Sequence, residues 1–218
     1  MDWEAHAGRE ERRYADGVAR LPDEPDARQK QLVRLAMAAT GAGLARLMQG
    51  RQAEAAGWLE RSAEFFRRSL PDAPPGSWGR LIGAVKARLL AGDTEGARGD
   101  ARWALEQGPA ESGSPIGLYA AVLALLVLGE DENAVALAEG LRREPPEVFP
   151  RDVADALAAL AAGDADAYRE AAGRVLRSFE ERDAYLEDIP VADTVLVLEA
   201  LADTRGLPAR LSSPLLPG

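Results

Sequence analysis

The sequence predicts an all-α protein, an array of antiparallel helix pairs, on three observations. Gly50, Gly92, Gly129 and Gly163 recur at intervals of 42, 37 and 34 residues, each closing one apolar helical stretch and opening another. Self-similarity at such periods marks stacked helical units. Alternating apolar and polar runs rich in Val, Ile and Thr are absent, so no strand is expected. Proline-rich breaks, above all residues 71–76 and Pro145-Pro146, fall between the glycine-centred pairs and not inside them.

The elements follow in order. An opening helix is expected over 3–21, ended by Pro22 and the turn around Pro25. Asp26 is the expected cap of the next, whose stripe Leu32, Leu35, Ala36, Ala39, Gly43, Leu44 and Leu47 has helical spacing. Its partner carries Ala55, Leu59, Ala63, Phe66 and Leu70 on one face and charged residues on the other. Residues 71–76 form a candidate hinge. Ser77 is the expected cap of a helix over 78–91, paired with one over 93–107. Ser114-Pro115 is a cap followed by proline at the first helical position. It launches 116–128, apolar on every side and therefore expected at the centre of the domain. Helices over 133–143, 152–162 and 165 to about 186 follow, and Pro190 starts a last helix over 191–204. Residues 1–206 thus read as one helical domain and 207–218, with prolines at 208, 214 and 217, as a loose tail.

Composition removes several functions. No cysteine is present and the sole histidine is His6, which excludes thiolate zinc sites, thiol catalysis and two-histidine metal motifs. Net charge is −10, and the stretch 144–203 holds 15 acidic against 5 basic residues. Such a surface repels nucleic acid and anionic membranes. The longest apolar run has 13 residues where a membrane span needs about 20. With an N-terminus lacking the pattern of a secretory signal, a cytoplasmic location is expected.

The residues around the glycines resemble tetratricopeptide repeats. Leu89, Gly92-Asp93-Thr94-Glu95-Gly96-Ala97, Ala104-Leu105 and Pro109 fall in that family's order. A second copy runs from Leu126 through Gly129, Ala134 and Leu141 to Pro146. The outer copies depart from it: the first has Arg67 at the closing proline's place, and the fourth has Tyr168 for a small residue and Glu180 for the proline. The family's aromatic residue before the turn is replaced throughout, by Arg46, Arg88, Leu125 and Ala159. Over about residues 31–182 the resemblance implies a right-handed superhelix whose concave face, lined by the first helix of each pair, binds peptides or partner helices. That face would carry Met37, Leu44 and Met48, then Ile82, Lys86 and Leu90, then Ile116, Tyr119, Leu123 and Val127, then Val153, Leu157 and Ala161. It is too apolar to stand open in water. A helix of this chain, a second copy or a partner is therefore expected to fill it; the candidate within the chain is the last helix, with Val191, Val195, Leu198, Leu201 and Ala202, which would occupy part of the face and close the array.

No catalytic group, metal set or cofactor motif is expected. His6 sits four residues before Glu10 on the first helix, and Gly41-Ala42-Gly43 lacks both the strand and the third glycine of a dinucleotide fingerprint. Ser112 has no histidine-type base beside it. The expected function is therefore a non-enzymatic scaffold or adaptor that binds a protein or peptide, with Trp78, Arg80, Lys86 and Tyr119 as the contact cluster, since aromatic residues and Arg dominate binding hot spots. Two alternatives stand beside it. One is a domain that binds a small molecule or divalent metal through the carboxylate-dense segment 180–188. The other is a self-associating structural protein, a homodimer.

Overall fold

A computed structural model describes residues 1–185 and 188–218. It is all-helical, with ten α-helices and no strand among the described residues. They are α1 (Trp3–Ala19), α2 (Pro25–Met48), α3 (Gln52–Ser69), α4 (Gly79–Ala91), α5 (Thr94–Glu106), α6 (Pro115–Leu128), α7 (Asp131–Arg142), α8 (Arg151–Ala162), α9 (Ala165–Glu180) and α10 (Asp193–Asp203), with a 3-10 turn at Ala110–Ser112. From α1 to α9 each helix packs on the next, and α4, α6 and α8 also touch in series.

The four recurring glycines build one turn four times. Gly50, Gly92, Gly129 and Gly163 have φ of +70°, +73°, +77° and +69°, a region that costs a residue with a Cβ but not glycine. In each, the glycine N–H reaches a carbonyl three residues back and the next N–H one five residues back, as in Gly92 to Leu89 and Asp93 to Arg88 at 3.0 Å. This Schellman arrangement satisfies carbonyls the helix end would otherwise orphan. It joins α2 to α3, α4 to α5, α6 to α7 and α8 to α9.

Several helix ends differ from expectation. Glu24, not Asp26, caps α2, accepting from the Asp26 and Ala27 N–H groups at 3.0 and 2.7 Å, because Pro25 takes the first helical position and moves the cap back. Asp26 instead pairs with Lys30 at 2.7 Å. Ser77 does not cap α4: its hydroxyl donates to the Pro74 carbonyl, and Trp78 takes the cap position. α9 stops at Glu180, short of the expected 186, where Leu186 lies outside the described residues; α10 begins at Asp193, after Val191. Ser114 caps α6 as expected, and the interior of that helix, Ala120 to Leu126, is buried.

The residues that erode the repeat pattern hold the array together. Arg46, with a side chain 6% exposed, reaches Glu4 and Glu11 at 2.7 Å each and ties α1 to α2. Arg67 and Arg88 converge on the buried Asp100, joining α3, α4 and α5, and Arg67 also covers the Trp103 ring at 4.6 Å. Tyr168 is wholly buried and donates to Glu199 of α10 at 2.6 Å. Burial, with the Glu199 charge added, pushes its hydroxyl far above the ordinary tyrosine range.

The last helix packs against α4, α8 and α9, and Val195, Leu198, Leu201 and Ala202 join the core cluster that holds Leu123 and Leu157. Residues 207–218 form no helix. Leu207, Leu211, Leu215 and Leu216 pack on that same core, Ala209 and Arg210 donate to Glu199, and Ala192 donates to the Leu215 carbonyl at 3.0 Å.

Candidate functional site

A cavity of about 520 Å³ lies where α2, α3 and α4 face the segment between α9 and α10. One stripe of α2 supplies Val33, Met37, Thr40, Gly41 and Leu44, positions that helical spacing brings to a single face. Ile82, Lys86 and Leu90 supply the α4 wall at intervals of four. Of the inner face expected from the sequence, Met37, Leu44, Ile82, Lys86 and Leu90 line this cavity, whereas Leu123 and Leu157 are buried in the main core.

Glycines set the shape of the walls. A Cβ at Gly83 would lie 2.6 Å from the Phe66 ring, so this glycine lets the phenyl ring lie flat on α4 and close one side. A Cβ at Gly41 would meet Ile189 Cδ1 at 2.7 Å and Glu10 Cγ at 2.9 Å. Gly43 holds Leu59 in the same way. The Gly41-Ala42-Gly43 string therefore serves close packing, with α1 and the 189–191 segment on one side and α3 on the other.

Polar groups are few and mostly engaged. Lys86 donates to Asp193 at 2.6 Å and to the Thr194 hydroxyl at 3.4 Å, which fixes the start of α10 over α4. Burial pulls the Lys86 ammonium down, and Asp193 together with Tyr119 more than restores it, so it stands above its ordinary value. Asp193 is in the first turn of α10, where the helix dipole favours a carboxylate. Thr40 and Ser62 share a hydroxyl bond of 2.7 Å. Tyr185 donates to the Phe179 carbonyl at 2.8 Å. Arg80 is half-buried and donates to the Ser69 carbonyl and to Gln29, and burial lowers its pKa. Arg182 stands at the rim over the Phe179 ring, 3.7 Å from its centroid.

Of the four residues singled out in the sequence, Arg80 and Lys86 line the cavity. Tyr119 is close enough to Lys86 and Asp193 to feel their charges; burial raises its pKa, and its ring meets Phe149 at 5.4 Å. Trp78 packs against the main core at the start of α4 and is not part of the lining. Phe66, Phe179, Arg182, Tyr185, Ile189 and Asp193 also line the cavity, at places that no sequence pattern marks. Gly83, a glycine inside an otherwise good helical stretch, was the one local sign of close packing there.

The other candidates have local partners. The carboxylate segment 180–188 includes Glu187, outside the described residues; Glu180 accepts from Ser213 at 2.7 Å. Among the described residues no three metal-ligating side chains come together. Ser112 donates to the Pro109 carbonyl. His6 stacks obliquely on Trp3 at 5.6 Å, and Glu10 is buried between Arg9 and Arg13. No helix among the described residues is long and apolar enough to cross a membrane. No family model, no curated protein and no solved structure matches the chain.

Proposed function

We propose that this chain is a non-catalytic helical binding module whose ligand seat is the cavity between α2, α4 and the 179–193 segment. The observation that carries the reading is a largely apolar chamber of about 520 Å³ with a few convergent polar groups. Small-molecule sites typically occupy about 300–1,000 Å³ and have that make-up. A binding role agrees with the sequence-based expectation of an adaptor and with the all-helical array, compatible with a repeat, in which a superhelix of the tetratricopeptide kind is the finer reading. The filling of the inner face by α10 favours a compact ligand over a long docked helix. Its proposed chemistry is recognition alone, since in the described lining the Lys86 amine is held as an ammonium by Asp193 at 2.6 Å.

The test uses a neutral environment-sensitive dye, N-phenyl-1-naphthylamine. One dye per chain should bind saturably. Ile82→Trp or Val33→Phe, which narrow the chamber from α4 and α2, should weaken that binding severalfold while leaving the helical circular dichroism unchanged. Unsaturable binding, or binding indifferent to both substitutions, would overturn the proposal.

A further inference from the structure

The arginines of this protein are not all treated alike. Arg46, Arg88 and Arg205, with side chains 6%, 17% and 10% exposed, each meet at least one carboxylate. This is the ordinary requirement for a guanidinium withdrawn from water. Arg80 breaks it. The group is half-buried beside the apolar cavity, and its partners are the Ser69 carbonyl and the Gln29 amide oxygen, both neutral. Arg182, on the same cavity's rim, donates to the Ser178 carbonyl and lies over Phe179. Among the described residues neither reaches a carboxylate. The remaining charges of the lining, Lys86 and Asp193, cancel each other across 2.6 Å. In the described lining, therefore, neither Arg80 nor Arg182 has a carboxylate partner, and Arg80 is the one of the two withdrawn from water.

Two guanidinium groups at the edge of an apolar chamber select one kind of occupant. An anion supplies the missing counter-charge, and guanidinium presents paired donors that match a carboxylate. The walls formed by Met37, Leu44, Phe66, Ile82, Leu90 and Ile189 offer apolar surface that an alkyl or aryl chain can cover. We infer that the cavity binds a small amphiphilic monoanion, an unbranched carboxylate with an apolar tail, with its head at Arg80 and Arg182 and its tail along α2 and α4. This inference rests on the cavity being the ligand seat.

Displacement of bound N-phenyl-1-naphthylamine by three ten-carbon probes below their micellar concentrations separates the two claims. Decanoate should displace the dye at a concentration at least tenfold lower than decanol and lower still than decyltrimethylammonium. Arg80→Met should reduce the decanoate-to-decanol ratio severalfold. Arg182→Gln, at an exposed position, should reduce it less and should make it less sensitive to added salt, since rim charges are screened. If Arg80→Met does not fold, Arg182→Gln decides alone. Equal displacement by decanoate and decanol, or a ratio unmoved by Arg182→Gln, overturns the anion inference while the seat stands. Failure of all three probes to displace a saturably bound dye overturns the seat itself.

Discussion

The two halves of the inner face have different covers. Toward α8, a regular helix lies on it, and Val195, Leu198 and Leu201 of α10 are buried to within 2% of complete exclusion from water. Toward α2, the cover is the non-helical stretch around Pro190, which offers Ile189 and Val191 and leaves about 520 Å³ unfilled. A helix delivers a side chain to one face every three or four residues, a density that matches the ridges beneath it. A short irregular segment cannot. A dry core and a chamber thus arise on one continuous surface from the conformation of what lies over it.

Removing the cover should have the largest effect. A chain ending at residue 188 loses α10 and the leucines of 207–218, and is expected to bind hydrophobic dyes indiscriminately and lose its cooperative thermal transition. A soluble, cooperatively melting truncation would break the contrast drawn above. Within the full chain, Leu198→Ala on the sealed side should cost about 2–5 kcal/mol in denaturant unfolding, whereas Leu90→Ala beside the chamber should cost less, because one side of that residue already faces open space.

Next in size is the anchor of the cover. Tyr168→Phe leaves the half-buried Glu199 with only the Ala209 and Arg210 amides, and should destabilise by about 1–3 kcal/mol. The same residue predicts a pH dependence. Tyr119 and Tyr168 are raised above an ordinary value of 10.0 and Lys86 above 10.5. The stability they provide is therefore complete below pH 10 and lost as pH rises through their folded-state values. Urea midpoints should fall above pH 10, and less steeply in the Tyr168→Phe chain.

Two glycines sharpen the comparison at smaller scale. Gly83→Ala must push the Phe66 ring aside, at a cost of about 1–3 kcal/mol, and should weaken dye binding with it. Gly99→Ala, a helical position with open space around its Cβ, should instead stabilise by about 0.4–1 kcal/mol in thermal melts.

Much of this architecture is legible in the sequence. The four turn glycines stand in the left-handed region, Ser114-Pro115 starts α6, and the last helix docks on α4 and α8. The residues that departed from the repeat pattern were the harder ones. Arg67, Arg88 and Tyr168 read as erosion because a local pattern carries no sign of a partner elsewhere; Asp100 and Glu199 supply that partner. The cavity was half visible for the same reason. Its helical wall repeats at 3.6 residues and could be assigned, but Asp193 meets Lys86 across 107 positions and Phe66 meets Gly83 across a proline-rich break. The described residues between α9 and α10, 181–185 and 188–192, follow no periodic rule, so the place of Tyr185, Ile189 and Val191 beside α2 emerges only in three dimensions.

The pairing of Lys86 with Asp193 also orders events during synthesis. Ribosomes add about 5–20 residues per second, so Lys86 exists for roughly 5–20 s before Asp193 is made. Throughout that interval α2, α3 and α4 can assemble through neighbouring contacts, yet their shared inner surface has no lid. Nascent chains of this protein should accordingly be clients of chaperones that hold exposed apolar surface, and should be released from them when the α10 sequence clears the exit tunnel.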